Sequence, residues 1–250
     1  MQEIPLFRSA LFANIPELCF AMSTRYGGVS PAPLGMNLSF NVGDDPENVH
    51  RNRSLFFGAV GIVPERLVYP GQIHSDIVQE ALGPGKIESC DALTTNQRDL
   101  YLAISVADCI PVFLYDPVGK CVAAVHSGWK GTQKGIVAKA VREMSVRYGS
   151  NAGELYAVIG PGAGVCCYEV GEEVAGHFPD DIVDRSGPGK PRLDLKRRNR
   201  DLLIEAGVNA SNIETSADCT IVRKDRYHSY RREGNMSGRM LGVIGLKALP

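Results

Sequence analysis

One stretch, Val106 to Thr132 (VADCIPVFLYDPVGKCVAAVHSGWKGT), constrains this chain more than any other. Leu100 to Ser105, Pro111 to Tyr115 and Cys121 to His126 are short apolar runs rich in strand formers, with turn chemistry at Asp116-Pro117-Val118-Gly119. They read as an antiparallel meander. If the first strand runs up and the second down, the loop carrying Asp108 and Cys109 lies at the top. The Asp116 to Gly119 turn then lies at the bottom, and the third strand returns His126 to the top. Cys109 and His126 are expected to meet at one edge of the sheet.

A third member comes from upstream. Leu67-Val68-Tyr69 is a further strand signal, broken by Pro70-Gly71, so that His74 in Gln72-Ile73-His74-Ser75 also sits just past a strand. One thiolate and two imidazoles suit a catalytic zinc, which takes three protein ligands at roughly 2.0–2.3 Å and leaves a fourth position for water or substrate. The spacing is long and irregular and matches no short zinc motif. The competing reading is a buried thiol beside two hydrogen-bonded structural histidines.

The runs GQIHSD at 71–76, CDAL with TT at 90–95, VADCIPV at 106–112, AVHSGWKGT at 124–132, IGPGAG with CCYEV at 159–170 and SYRREGNMSGRM at 229–240 occur in order. Together they resemble the YfiH-like family, the "laccase domain" or "polyphenol oxidase" proteins also described as purine nucleoside phosphorylases. The resemblance extends from about Arg25 to Leu246. It implies that His74, Cys109 and His126 are the metal ligands, the same three residues that the pattern of strand ends brings together.

Along the rest of the chain, Leu18 to Ser23 reads as an early strand. The Gly-, Pro- and Asn-rich segment from Arg25 to Asn41 is either a connection or an active-site rim. The resemblance favours the rim and makes Asn37 a substrate-binding candidate. Asp45 and Pro46 open a helix that ends near Phe57 or Ala59, before Gly61, and carries Arg53, a candidate for binding phosphate. Asp91 is placed either to orient a ligand histidine or to cap a turn. Gln133 to Tyr148 shows apolar residues at i, i+3, i+4 and i+7, with Thr132 as cap and Gly149 as stop. Its start follows the Ser127 to Gly131 loop, so free N–H groups and Lys130 are expected to attract phosphate. Trp129 is expected in the core, and Cys166 and Cys167 read as packing thiols too close-set to share one tetrahedral ion. Leu155 to Ile159, Ile213 to Ser216 and Thr220 to Val222 read as strands, and Asp194 to Ala206 as a helix. The 181–192 segment reads as a surface loop, and the apolar tail from Met240 to Leu246 returns to the sheet. The run Tyr227 to Arg232 either stacks a base and binds an anion, through Arg231 and Arg232, or is an exposed charged loop. The class expected is α/β (α+β-like): a single domain over 1–250, a mixed sheet with an antiparallel meander flanked by helices. The resemblance implies a fold related to bacterial toxin deamidases.

Composition sets the outer bounds. With 250 residues and 44% hydrophobic content the chain can bury a sizeable core without disulfides. A net charge of −1 argues against a dedicated nucleic-acid binder. The first residues lack a basic leader followed by a long apolar core, and no window approaches the roughly 20 apolar residues that span a bilayer. Seven cysteines without a repeating framework suit reduced thiols, so a soluble, cytoplasmic protein is expected, with a monomer favoured.

A multicopper oxidase needs a blue-copper site and a histidine-rich cluster, whereas this chain has five histidines and no His-x-His pair. Copper would nevertheless outcompete zinc for such ligands in excess, giving adventitious oxidase behaviour. The resemblance implies instead a zinc-dependent purine nucleoside phosphorylase for adenosine, inosine, guanosine or methylthioadenosine. Inorganic phosphate is its co-substrate, and adenosine deamination a second activity. Zinc would hold phosphate or activate water, Lys130 and Arg53 would neutralise phosphate, and Asp91 or Asp108 would carry protons. The alternatives are a metal-free hydrolase or deamidase in which His126 activates Cys109 and, further off, a copper-dependent polyphenol oxidase or a role in quality control of peptidoglycan precursors. His74 separates the first from the zinc enzyme, being dispensable in a thiol dyad.

Overall fold

The computed structural model describes residues 4–248. Two six-stranded mixed sheets pack face to face. The first runs in the order Leu6–Phe7, Leu18–Ser23, Met240–Leu246, Leu100–Val106, Leu67–Pro70, Gly85–Ile87. The second runs Ile213–Thr215, Tyr156–Ile159, Ile110–Asp116, Cys121–Ser127, Ala92–Thr95, Val78–Glu80. Phe20, Leu102, Ile104 and Ile244 of the first sheet meet Phe113, Tyr115, Val122 and Val158 of the second in a shared core. Alternate residues point outward, as the two-residue period of a strand requires. Val112, Leu114, Ala123 and Val125 pack under the Ile136–Tyr148 and Leu195–Glu205 helices. Ala21, Ala103, Leu241 and Val243 pack under the Pro46–Val60 helix. The result is a four-layer helix–sheet–sheet–helix arrangement, which belongs to the α/β class with mixed sheets expected from sequence.

Covering both faces of both sheets explains why the central strands read as unbroken apolar runs. It also explains the main departure from the expected topology. Ile110–Asp116 and Cys121–Ser127 form the expected hairpin, with Pro111 opposite His126 and Asp116 opposite Cys121. Leu100–Val106 does not join them. It lies in the facing sheet, antiparallel to Met240–Leu246 and parallel to Leu67–Pro70. Ala107, Asp108 and Cys109 therefore cross from one sheet to the other, and Asp108 takes φ 87° in doing so. The apolar tail returns to the centre of the first sheet, as expected.

Helix punctuation follows the sequence closely. The Asp45 side chain accepts from the Glu47 amide, Pro46 opens the helix, and Gly61 closes it at φ 71°. The helix after His126 is broken where one continuous element is expected. Trp129–Gln133 is a short piece, Gly135 turns at φ 72°, and Ile136–Tyr148 follows. Thr132 is no cap. Its hydroxyl donates to the Gly128 carbonyl at 3.0 Å and receives the Asn199 amide at 3.0 Å. Thr220–Val222, expected as a strand, is a turn, and the 181–192 loop contains a two-stranded ribbon, Val183–Asp184 with Arg192–Leu193. No helix among the described residues is long and apolar enough to cross a membrane.

Candidate active site

The sheet crossing and the hairpin bring three ligating side chains together. Cys109 ends the crossing loop, His126 sits near the end of the Cys121–Ser127 strand, and His74 lies in the turn after Leu67–Pro70. A ligand atom from each lies within 4.8 Å of the others. The imidazole rings of His74 and His126 stand edge to face at 5.0 Å between centroids. Burial grades from exposed His74 through Cys109 to His126, so the group faces solvent on one side and the core on the other. Gly128 makes the close approach possible. A Cβ there would lie 3.1 Å from Cys109 Sγ and 3.3 Å from the His74 ring.

Asp91 organises the group from behind. It is fully buried. Its Oδ1 accepts from His126 Nδ1 at 2.7 Å and from the His74 amide at 3.0 Å. Its Oδ2 accepts from the Ser75 amide at 2.6 Å, the Ser75 hydroxyl at 2.7 Å and the Ile73 amide at 3.2 Å. One carboxylate thus fixes the His126 ring and holds the 73–75 turn, in which His74 adopts φ 58°. Gln72 anchors the same turn from the other end, exchanging two 2.8 Å hydrogen bonds with the Ser105 backbone. Burial opposes ionisation of Asp91, but the His126 and Ser75 hydrogen bonds hold its carboxyl well below the usual range. A carboxylate so placed keeps the proton on Nδ1 and leaves Nε2 to face the thiol.

The three groups share charge. Burial pushes the Cys109 thiol up, but the His126 and His74 imidazoles outweigh it and bring the thiol below its ordinary value. Burial pushes His126 down, but Cys109 and Asp91 raise it above its ordinary value. The donor set, two imidazole nitrogens and a thiolate converging from three elements with one histidine oriented by a carboxylate, fits a divalent borderline-soft cation such as zinc. Among the described residues no other histidine joins the group, so the histidine-rich cluster of a multicopper oxidase is not formed.

These residues line part of the wall of a cleft of about 1150 Å³. Two arginines, several rings and the Lys86–Glu88 ion pair complete it. Arg53, with its guanidinium 4.6 Å from the Phe40 ring centre and 5.1 Å from that of Tyr69, donates Nε to the Leu38 carbonyl at 2.9 Å. Arg239 lies 5.4 Å from the Tyr230 ring centre and donates Nη1 to the carbonyls of Ser237 and Gly238. Neither pairs with a carboxylate among the described residues, and burial lowers the pKa of both. Half-buried cations without an acidic partner beside aromatic rings are suited to an anion attached to, or bound beside, a planar ligand.

Of the residues expected from sequence, His74, Cys109, His126 and Arg53 reach the cleft. Asp91 stands behind it as an orienting group, buried and saturated, rather than as a free proton carrier. Asp108 is likewise engaged: its carboxylate accepts from Thr220 Oγ1 at 2.6 Å, Ser229 Oγ at 3.0 Å and the Arg231 amide at 2.6 Å. It ties the 220–231 segment to the crossing loop. Lys130 is exposed, with Nζ 5.6 Å from the Trp129 ring centre, and does not line the cleft. Asn37 is fully buried; it donates to Ser39 O and Asp44 Oδ2 and accepts the Ser39 and Arg239 amides, so it ties the rim together and does not line the cleft. Arg232 caps the carbonyls of Thr220, Ile221 and Tyr227 and pairs with Glu233. Arg231 lies over Tyr168 beside a small adjoining pocket. Sequence reasoning missed Arg239 and Tyr69; Arg239 belongs to the 229–240 run, where the paired arginines drew attention instead, and Tyr230, in the run read as able to stack a base, does line the cleft. Trp129 packs against the core and stacks on His177, as expected.

Comparison with known proteins places these features in a family. Residues 19–247 match the profile described as multi-copper polyphenol oxidoreductase laccase. A protein of Bacillus subtilis named purine nucleoside phosphorylase YlmD is 32% identical, over 94% of this chain and 90% of its own. A protein from an unknown prokaryotic organism, named an adenosine deaminase, is 36% identical over 91% of this chain and 94% of its own. The crystal structure of YlmD from Geobacillus stearothermophilus superposes with a TM-score of 0.92 at 30% identity, covering 99% of this chain and 98% of that one.

Proposed function

Because this chain belongs to the multi-copper polyphenol oxidoreductase laccase family, a family of enzymes, we propose that it is a zinc-dependent purine nucleoside phosphorylase with adenosine deamination as a secondary activity. Its substrates in this reading are adenosine, inosine, guanosine and methylthioadenosine, with inorganic phosphate as co-substrate. It acts as a single cytoplasmic domain without nucleic-acid or membrane partners. The observation that carries the proposal is the convergence of His74, Cys109 and His126 on a cleft that also holds the aromatic side chains of Phe40, Tyr69 and Tyr230 and two arginines without a carboxylate partner among the described residues.

The residues divide the work. His74, Cys109 and His126 would hold the metal, which when bound supplies a Lewis acid for phosphate or water. Arg53 and Arg239 neutralise phosphate charge, and their positions, fixed by backbone carbonyls, require no reorganisation when the anion arrives. Tyr69 and Tyr230 offer ring faces to the purine. Asp91 keeps His126 in the tautomer with a free Nε2 and keeps the 73–75 turn closed. Lys130, Asn37 and Arg232 take no part in binding.

A metal-free reading has one specific observation behind it. Cys109, His126 and Asp91 form a thiol–imidazole–carboxylate series in which the thiol is driven toward thiolate and the imidazole toward imidazolium. His74 separates the two. Metal content of protein purified without added metal should be near-stoichiometric zinc, lost in His74→Ala together with phosphate-dependent release of adenine from adenosine. Wild-type protein free of metal, with full activity in His74→Ala, would sink the zinc reading in favour of a Cys109/His126 hydrolase.

A further inference from the structure

A second group of soft ligands lies outside the cleft. Cys166, Cys167 and Cys219 bring their sulfur atoms within 4.8 Å of one another. Adjacent cysteines read as unable to share an ion, but the Gly164 to Tyr168 turn changes that. The amides of Cys167 and Tyr168 both donate to the Gly164 carbonyl at 3.0 Å, folding the pair back over Cys219. The Gly164 amide donates to Cys219 Sγ at 3.2 Å, and a Cβ at Gly164 would lie 3.4 Å from the sulfurs of both Cys166 and Cys219. Burial grades from exposed Cys166 to buried Cys219, so an ion has a path from solvent. Lys196, itself buried, donates to the carbonyls of Ser216 and Asp218 just before Cys219. Lys196, Arg197 and Arg200 line a cavity of about 530 Å³ with Cys166 and Cys219, and that cavity shares no lining residue with the substrate cleft.

We propose that Cys166, Cys167 and Cys219 form a Cu(I)-binding site independent of the catalytic cleft. Metal–thiolate bonds of about 2.3 Å place the sulfurs of a trigonal site about 4 Å apart, within the observed spread. A structural zinc site takes four ligands, and no fourth His, Cys, Asp or Glu atom joins this group among the described residues. Soft thiolates select Cu(I), which three sulfurs can satisfy. Three thiolates around one monovalent cation carry excess negative charge, which the buried Lys196 ammonium, bonded only to carbonyl oxygens, offsets.

The test is an anaerobic titration of reduced protein with Cu(I) in the presence of bicinchoninate as competing chelator. Cys109→Ala serves as background, so that the cleft group is disabled. In that background a single equivalent should bind, with X-ray absorption showing sulfur-only coordination. Cys166→Ser should lose that equivalent while zinc content and nucleoside turnover of the otherwise wild-type protein stay unchanged. Because Cys166 is exposed, this variant should fold normally, and Cys219→Ser supplies a second test. No equivalent in the Cys109→Ala protein, an equivalent retained in Cys166→Ser, or nitrogen in its coordination shell would overturn the assignment. None of these outcomes bears on the phosphorylase reading, whose ligands are separate.

Discussion

Asp91→Asn is nearly isosteric, so its consequences come from hydrogen-bond polarity alone. If the amide nitrogen takes the Oδ2 position, it faces the Ile73 and Ser75 amides and the Ser75 hydroxyl, which alone can turn to accept from it; in the Oδ1 position it faces the His74 amide and His126 Nδ1. Either way two donors lose their acceptor in a fully buried place, at roughly 1–3 kcal/mol each. His126 can relieve its conflict only by moving its proton to Nε2, the nitrogen needed by a metal. Partial relaxation leaves a net loss of about 3 kcal/mol, which for a chain of this size lowers Tm by about 6–12 °C. Loss of such an orienting partner also weakens zinc binding by about 10–100-fold. Differential scanning calorimetry of apo protein and a zinc competition titration measure the two effects separately. A variant with wild-type Tm and wild-type zinc affinity would show that Asp91 neither holds the 73–75 turn nor sets the His126 tautomer, and the account of the site would fail.

Other perturbations follow from the same structure. Arg53→Ala and Arg239→Ala should each lower kcat/KM for phosphorolysis by about 10–100-fold, the worth of a charge-assisted hydrogen bond of roughly 1.5–3 kcal/mol, whereas Lys130→Ala should stay within about twofold; steady-state kinetics at varied phosphate ranks the three. Gly242→Ala puts a methyl group into the Phe113 ring of the facing sheet and should cost about 1–3 kcal/mol by overpacking, read from the urea midpoint; an unchanged midpoint would contradict the close packing of the two sheets at this point. Lys120, Tyr115 and Arg98 hold Glu17 down at about 2 against an ordinary value of 4.5. Glu233 also lies at about 2, because although burial opposes its ionisation, His228, Arg232 and Arg25 outweigh it. Both therefore contribute stability that is full above about pH 4.5 and is lost as pH falls toward 2. Glu17→Gln should flatten that part of a stability–pH curve, and a curve as steep as wild type would remove Glu17 as a cause.

What the sequence alone determined was local. Strand formers ending in Cys109 and His126, proline and glycine at the ends of the 46–60 helix, and the apolar stripe of 136–148 are written in residue type and spacing, because backbone propensity and side-chain periodicity act over a few residues. The meeting of His74, Cys109 and His126 was legible for the same reason: each lies at or just past a strand end, and the 110–127 hairpin sets the register of Cys109 against His126. Which sheet Leu100–Val106 joins was not legible. All its possible neighbours are apolar on both faces, so periodicity says nothing about partners, and only packing of two complete sheets selects Met240–Leu246 and Leu67–Pro70. The division of arginines and acids into ligand-facing and structural groups was equally a tertiary decision. Arg232 and Asp108 found partners in the 220–231 segment while Arg53 and Arg239 found none of opposite charge among the described residues, and a charge is available to a substrate only where the fold leaves it without a counter-ion.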